Sequence, residues 1–254
     1  MEPQLRHAVA DGVATVVIDH PARRNAMTAD MWRSLPPLLD ALAADPAVRT
    51  LVLTGAGDTF CAGADITSLR VDPNLAPELA VLAEEALAAF PKPTLARVRG
   101  YCVGGGCQLA AACDLRFADE GASFAVTPAK LGIVYPASST RRLMSLVGPS
   151  AAKYLLFSGE SIDTARALRT GLVDEVLPAG ELDGRVKEFT QLLAGRSLLT
   201  QAAAKEFAAG RTDRDAHWAE QARGSGDTAE GVAAFLERRQ PRFGWTTPGA
   251  KQAR

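Results

Sequence analysis

No run of 18 or more apolar residues occurs in the 254-residue chain, and a membrane-crossing helix needs about 20. The opening stretch MEPQLRHAVADG lacks the basic-then-apolar pattern of a secretory signal, so the expected compartment is the cytoplasm, with no membrane partner. Charge of either sign is also missing as an excess: the net charge is -1 and aromatics make up 6%. That balance argues against a nucleic-acid partner, although PARRN forms a local basic patch. Cysteines are few. Cys61, Cys102, Cys107 and Cys113 include no C-x-x-C pair and no histidine cluster lies nearby. A metal site is therefore not expected, and the four read as small reduced residues filling gaps beside tight turns. What the chain has in quantity is apolar side chain, 47% and spread throughout. This excludes disorder and predicts one or two globular domains around a sizeable core.

Strand-like and helix-like stretches alternate. GVATVVID (12–19) and RTLVLTG (49–55) are β-branched or apolar runs bounded by turn residues. Between them Thr28 is placed to cap a helix through ADMWRSLPPLLDALAA, which Pro36 and Pro37 are expected to kink or divide. PELAVLAEEALAAF reads as a helix, KPTLARVRG as a strand, and DLRFAD as another after the glycine-rich turn. The alternation predicts an α/β class. Farther on, most segments are helical and stopped by glycine, with LVDEVL (172–177) as an intervening strand. The expected organisation is an α/β core over 1–195 and a helical region over 196–254 that packs on a neighbouring subunit.

Three consecutive glycines, 104–106, precede Cys107, Gln108 and an alanine-rich helix. So bare a backbone is costly to order. Two readings account for it: close packing of a strand-to-helix turn, or a ligand that must touch main-chain N–H groups at the positive end of a helix.

TFCAGADI, KPTLARVRGYCVGGGCQLAAACDLRFA, LGIVYPASSTRRL with LVGPSAAKYLLFSG, and ARALRTGLVDEVLP resemble, in order and spacing, the enoyl-CoA hydratase/isomerase (crotonase) superfamily over nearly the whole chain. The resemblance implies a spiral of ββα units with a C-terminal helical trimerisation region, an acyl-CoA thioester substrate, and trimers or dimers of trimers. It implies no separate cofactor, since coenzyme A is part of the substrate. By position, the amides of Ala64 and Gly105 would hold the oxygen of a thioester enolate. Ala62, Asp65 and Ile66 fall where relatives surround the adenine and pantetheine, with Asp65 as a residue that stabilises its loop. Arg23 and Arg24 fall where a basic residue meets the CoA phosphates, or else form a solvated loop pair. Phe235, Arg238 and Phe243 lie in the segment that helps cover CoA in relatives.

Hydratases resembling this chain add water with two glutamates. One position is occupied here by Gln108; the other, within FAVTPAKLG, falls on Pro128, or on Ala129 if the prolines are aligned. Neither register supplies a titratable group. The enolate-holding half of the site is kept, and loss of CO₂ from a malonyl-type thioester needs only that half. VTPAKLGIVYP also resembles the T-P-x-x-L-G-x-x-Y pattern of methylmalonyl-CoA decarboxylase, through Thr127, Pro128, Leu131, Gly132 and Tyr135. On this reading Tyr135 holds the carboxylate or helps return a proton, and Gln108 donates an amide hydrogen bond; otherwise Tyr135 is an ordinary packed aromatic. The pattern departs from those decarboxylases at Ala64, where they tend to carry histidine, and at Gln108, where they tend to carry an acid. The alternatives are a hydratase or isomerase using atypical groups, with Tyr135, Glu85, Asp114, Ser138 and Ser139 as polar candidates, and a non-catalytic acyl-CoA binding or assembly subunit.

Overall fold

The computed structural model of the protein describes residues 2–67 and 75–247. A six-stranded sheet runs Gln4–Ala10 (β1), Val13–Asp19 (β2), Thr50–Gly55 (β3), Thr94–Val98 (β4), Leu115–Asp119 (β6) and Glu175–Leu177 (β9). The β1–β2 pair is antiparallel and every later pairing is parallel. A second sheet holds Tyr101–Val103 (β5), Ser123–Ala125 (β7) and Ile162–Asp163 (β8). Each turn of the chain contributes one strand to each sheet: β4 then β5, β6 then β7. The turn after β3 reaches the second sheet only through a bridge from Cys61 to Cys102. Every residue of β3 is buried, as a central parallel strand covered on both faces requires.

Helices close the turns. Ala29–Ala44 (α1) starts on Thr28, whose hydroxyl accepts from the Met31 amide at 3.3 Å. It runs unbroken through Pro36 and Pro37 instead of dividing there. The reason is its buried stripe of Met31, Trp32, Leu35, Leu39 and Leu42, while Pro37 is exposed; packing of one face outweighs two missing N–H donors on the other. Leu75–Ala88 (α2) and Gly105–Ala112 (α3) follow, then the single turn Pro128–Leu131 (α4) and Ala137–Ser158 (α5), which is kinked at Gly148 before Pro149. Thr164–Thr170 (α6) precedes β9. Arg116, 2% exposed, donates to Cys113 O, Leu172 O and Asp174, joining β6 to the approach to β9.

Leu182–Ala194 (α7) covers the outer face of the sheet, where Leu182 and Val186 pack on Val52, Leu95 and Phe117. Beyond it Leu198–Ala208 (α8), Asp215–Ser225 (α9) and Asp227–Leu236 (α10) enclose a cluster of their own around Leu198, Leu199, Ala202, Trp218 and Trp245. Lys205 ties this region to the sheet end through Asp114 at 2.8 Å. Residues 248–254 of the expected C-terminal region lie outside the described residues. Among the described residues no helix is long and apolar enough to cross a membrane.

Candidate active site

The three glycines before α3 answer to three different neighbours. Gly104 has φ 54° and ψ -118°, a combination that side chains rarely permit. A Cβ on Gly105 would lie 3.0 and 3.2 Å from ring carbons of Trp32, and one on Gly106 would lie 2.2 Å from the Cys61 carbonyl oxygen. Packing therefore accounts for Gly106. Gly105 is different, because it also faces a cleft of about 150 Å³.

Across that cleft stands the loop containing Ala64. Met27 donates to Gly63 O and accepts from the Asp65 amide, each at 2.8 Å, while the Ala62 amide donates to Arg24 O at 3.0 Å. These bonds hold the residues around Ala64 and leave its own N–H without an acceptor among the described residues. The Gly105 amide, first in α3, likewise has none. A Cβ on Gly105 would lie 3.5 Å from the Ala64 nitrogen, so the two loops touch and both line the cleft. Two fixed amides beside an apolar space can bind a carbonyl oxygen that gains charge during reaction.

The cleft is also lined by Gln108, Thr127, Pro128 and Tyr135. Pro128 is the first residue of α4 and reaches the lining, whereas Ala129 does not. Burial first, and the nearby Cys107 and Glu84 second, push the Tyr135 hydroxyl well above the ordinary tyrosine value. It stays protonated at neutral pH. Tyr135 is the only titratable side chain among the described residues lining the cleft.

Behind Gln108 lies a carboxylate that the sequence reading does not single out. Glu84, on α2, is 1% exposed. It accepts from Arg142 on one oxygen and from both Ser139 and the Gln108 side-chain amide on the other. The Gln108 amide also reaches Ser139 Oγ at 3.1 Å. A carboxylate only accepts, so the Gln108 side chain turns its amide nitrogen toward Glu84 and Ser139, which lie on the same side of it. Of the other polar candidates, Ser139 belongs to this network, Glu85 is an exposed partner of Arg142, and Asp114 pairs with Lys205 and Thr94. The signal for Glu84 was present: with Ala80, Ala83 and Leu87 it forms one buried stripe of α2, an odd place for a charge.

Of the residues expected around coenzyme A, Ala62 and Ile66 line the cleft, Ile66 being 63% exposed. Asp65 is buried beneath the loop and accepts from Thr67 N, Thr67 Oγ1 and Arg23. Burial acts to raise its pKa, but these bonds and the Arg23 charge outweigh it and hold the carboxyl below the usual range. Arg23 and Arg24 sit outside the cleft lining. Arg23 is paired with Asp65 at 2.9 Å, and the Arg24 guanidinium lies 4.7 Å from the Tyr101 ring centroid. Their loop is pinned by buried Asn25, which donates to Ala56 O and Thr59 O and accepts from His20 N. Phe243 lines a groove in the C-terminal region with Phe207 and Trp218, Phe235 is 82% exposed, and Arg238 has φ 55°.

A spiral of paired strands that brings two unoccupied amides to an apolar cleft defines an enzyme fold suited to carbonyl activation. The chain belongs to the enoyl-CoA hydratase/isomerase family, whose model matches residues 8–246. It is 36% identical over 250 residues to the crotonyl-CoA hydratase of Syntrophomonas wolfei, covering 91% of this chain and 94% of that protein. The 2,3-dehydroadipyl-CoA hydratase of Escherichia coli is 34% identical, with the same shares covered. A crystal structure of an enoyl-CoA hydratase/isomerase family member superposes with a TM-score of 0.90 at 39% identity, over 97% of this chain and 100% of that one. The fold is accordingly the crotonase-like α/β fold expected from the resemblance.

Proposed function

We propose that this acyl-CoA enzyme holds a thioester carbonyl oxygen on the Ala64 and Gly105 amides and decarboxylates a malonyl-type CoA ester. The observation that carries the reading is the cleft lining: two free amides, and no carboxylate or cation among the described lining residues. Breaking the bond to the carboxylate carbon sends its electron pair into the thioester, and the enolate oxygen gains charge where the amides stand. One donor of that kind is worth about 2.7–4 kcal/mol. No base is required. A substrate carboxylate would meet only neutral donors, the hydroxyls of Thr127 and Tyr135, amid apolar side chains. The cleft therefore offers no ion pair that would favour the carboxylate over the CO₂ it releases. We further propose that the chain works as a homo-oligomer built on trimers.

Hydration is the second reading, favoured by the names of the two relatives and by Glu84, one hydrogen bond behind Gln108. Against it stands the absence of a carboxylate among the described residues of the cleft lining, since a lost acid or base costs about 10²–10⁴ in rate. Offering malonyl-CoA, methylmalonyl-CoA and crotonyl-CoA decides between them. The expected result is CO₂ release from a malonyl thioester, negligible hydration of crotonyl-CoA, and slower CO₂ release in Tyr135→Phe. Rapid hydration with malonyl thioesters untouched would overturn the proposal, and no turnover of any acyl-CoA would favour a binding subunit.

A further inference from the structure

Gln108 lines the cleft with its side-chain amide nitrogen turned toward Glu84. Its amide nitrogen donates to Glu84 and to Ser139 Oγ, and its carbonyl Oε1 accepts from none of the described residues. What fixes this orientation is Glu84. Turning the Gln108 amide over would set its carbonyl oxygen against a carboxylate that Arg142 and Ser139 hold in place from α5.

We propose that Glu84 is the positioning residue of the site: it turns Gln108 Oε1 into a fixed acceptor, and that acceptor holds the water that returns a proton to the substrate. The proposal rests on the decarboxylation reading above. Once the carbon–carbon bond has broken and CO₂ has left, the α-carbon of the enolate takes a proton from this water. The hydroxide left behind combines with CO₂, so that a malonyl thioester and water give the shorter acyl thioester and bicarbonate. Thr127 and Tyr135 present hydroxyls to the carboxylate, and Gln108 presents its carbonyl oxygen to the water.

The test is methylmalonyl-CoA turned over in D₂O, with the configuration of deuterium in the propionyl-CoA product read by NMR. The wild-type enzyme is expected to give one configuration. Glu84→Gln, in which the Gln108 amide is no longer pinned, and Gln108→Met, which removes the acceptor without burying a charge, are expected to give both. A merely structural role for Glu84 would slow the enzyme without scrambling the product. Unchanged stereochemical purity in both variants would overturn the proposal. A wild-type enzyme that releases no CO₂ would defeat the decarboxylation reading and leave the orientation still decidable by the side-chain amide hydrogens of Gln108. Slow solvent exchange in the wild type and fast exchange in Glu84→Gln supports the positioning role, and equal rates refute it.

Discussion

Gly105 carries two demands at once. Its amide must face the cleft, and its α-carbon must clear Trp32, which would stand 3.0 Å from any Cβ there. Gly105→Val is expected to lower turnover by about a hundredfold or more, the scale of losing one donor to a developing oxyanion. Far-ultraviolet circular dichroism should stay near that of the wild type, because the clash falls at a cleft wall. A variant that turned over normally would remove Gly105 from the site. The value of such a residue was legible in the sequence, because a glycine triplet before a helix and the AGAD loop are local patterns. Glu84 is legible only as a charge on an apolar stripe, not as part of a site. What makes it part of the site is the meeting of α2, α3 and α5 around one carboxylate, and Ser139 and Arg142 are 55 and 58 residues away in sequence. A local reading picks out its exposed neighbour Glu85 instead.

Among the elements, those that bury a periodic face announce themselves and those that do not stay hidden. β2 and β3 carry β-branched and apolar runs and were readable. β1 is exposed at all but one of its positions, so it lacks the alternation that marks a strand, and it exists because β2 offers it a full register from Gln4 with Asp19 to Ala10 with Val13. β5, β7 and β8 have three, three and two residues, too few for any period to show. α9 has one buried residue, Trp218. α1 is the reverse case, a strong pattern with a misleading breaker. Its apolar stripe holds Trp32 against Gly105, so Pro36 and Pro37 are tolerated at a cost. Pro37→Ala, on the exposed side, restores one N–H donor to the helix and is expected to stabilise the protein by about 1–2 kcal/mol. Urea unfolding would check it, and an unchanged or lower midpoint would mean the proline's restraint of the unfolded chain matters more.

At the scale of the whole molecule, the four cysteines are free thiols buried in the core. Burial, above all, pushes Cys61 and Cys113 up to about 12 from an ordinary value of about 9, and raises Cys102 well above it. An unfolded chain ionises these thiols from about pH 9 upward while the folded one holds their protons. Stability from them is therefore whole below pH 9 and is lost as pH rises toward about 12. The loss should be on the order of 1 kcal/mol for each thiol one unit above the unfolded value. Urea midpoints at pH 8 and pH 10 measure it, and Cys61→Ala should flatten the difference. The surface poses the complementary question. α10 exposes Val232, Phe235 and Leu236 at 56%, 82% and 74%, at helical spacing, beside a groove lined by Phe207, Trp218 and Phe243. Contiguous apolar surface of this kind marks an interface. Closed symmetric assembly would cover the same helix in every copy. Light scattering is expected to give the mass of three chains or a multiple of it, and Phe235→Glu, which sets a charge into the covered face, should shift the population toward single chains. A wild-type protein that stays monomeric at micromolar concentration would show that this surface faces water, and would leave Phe235 and its neighbours without the partner that their exposure requires.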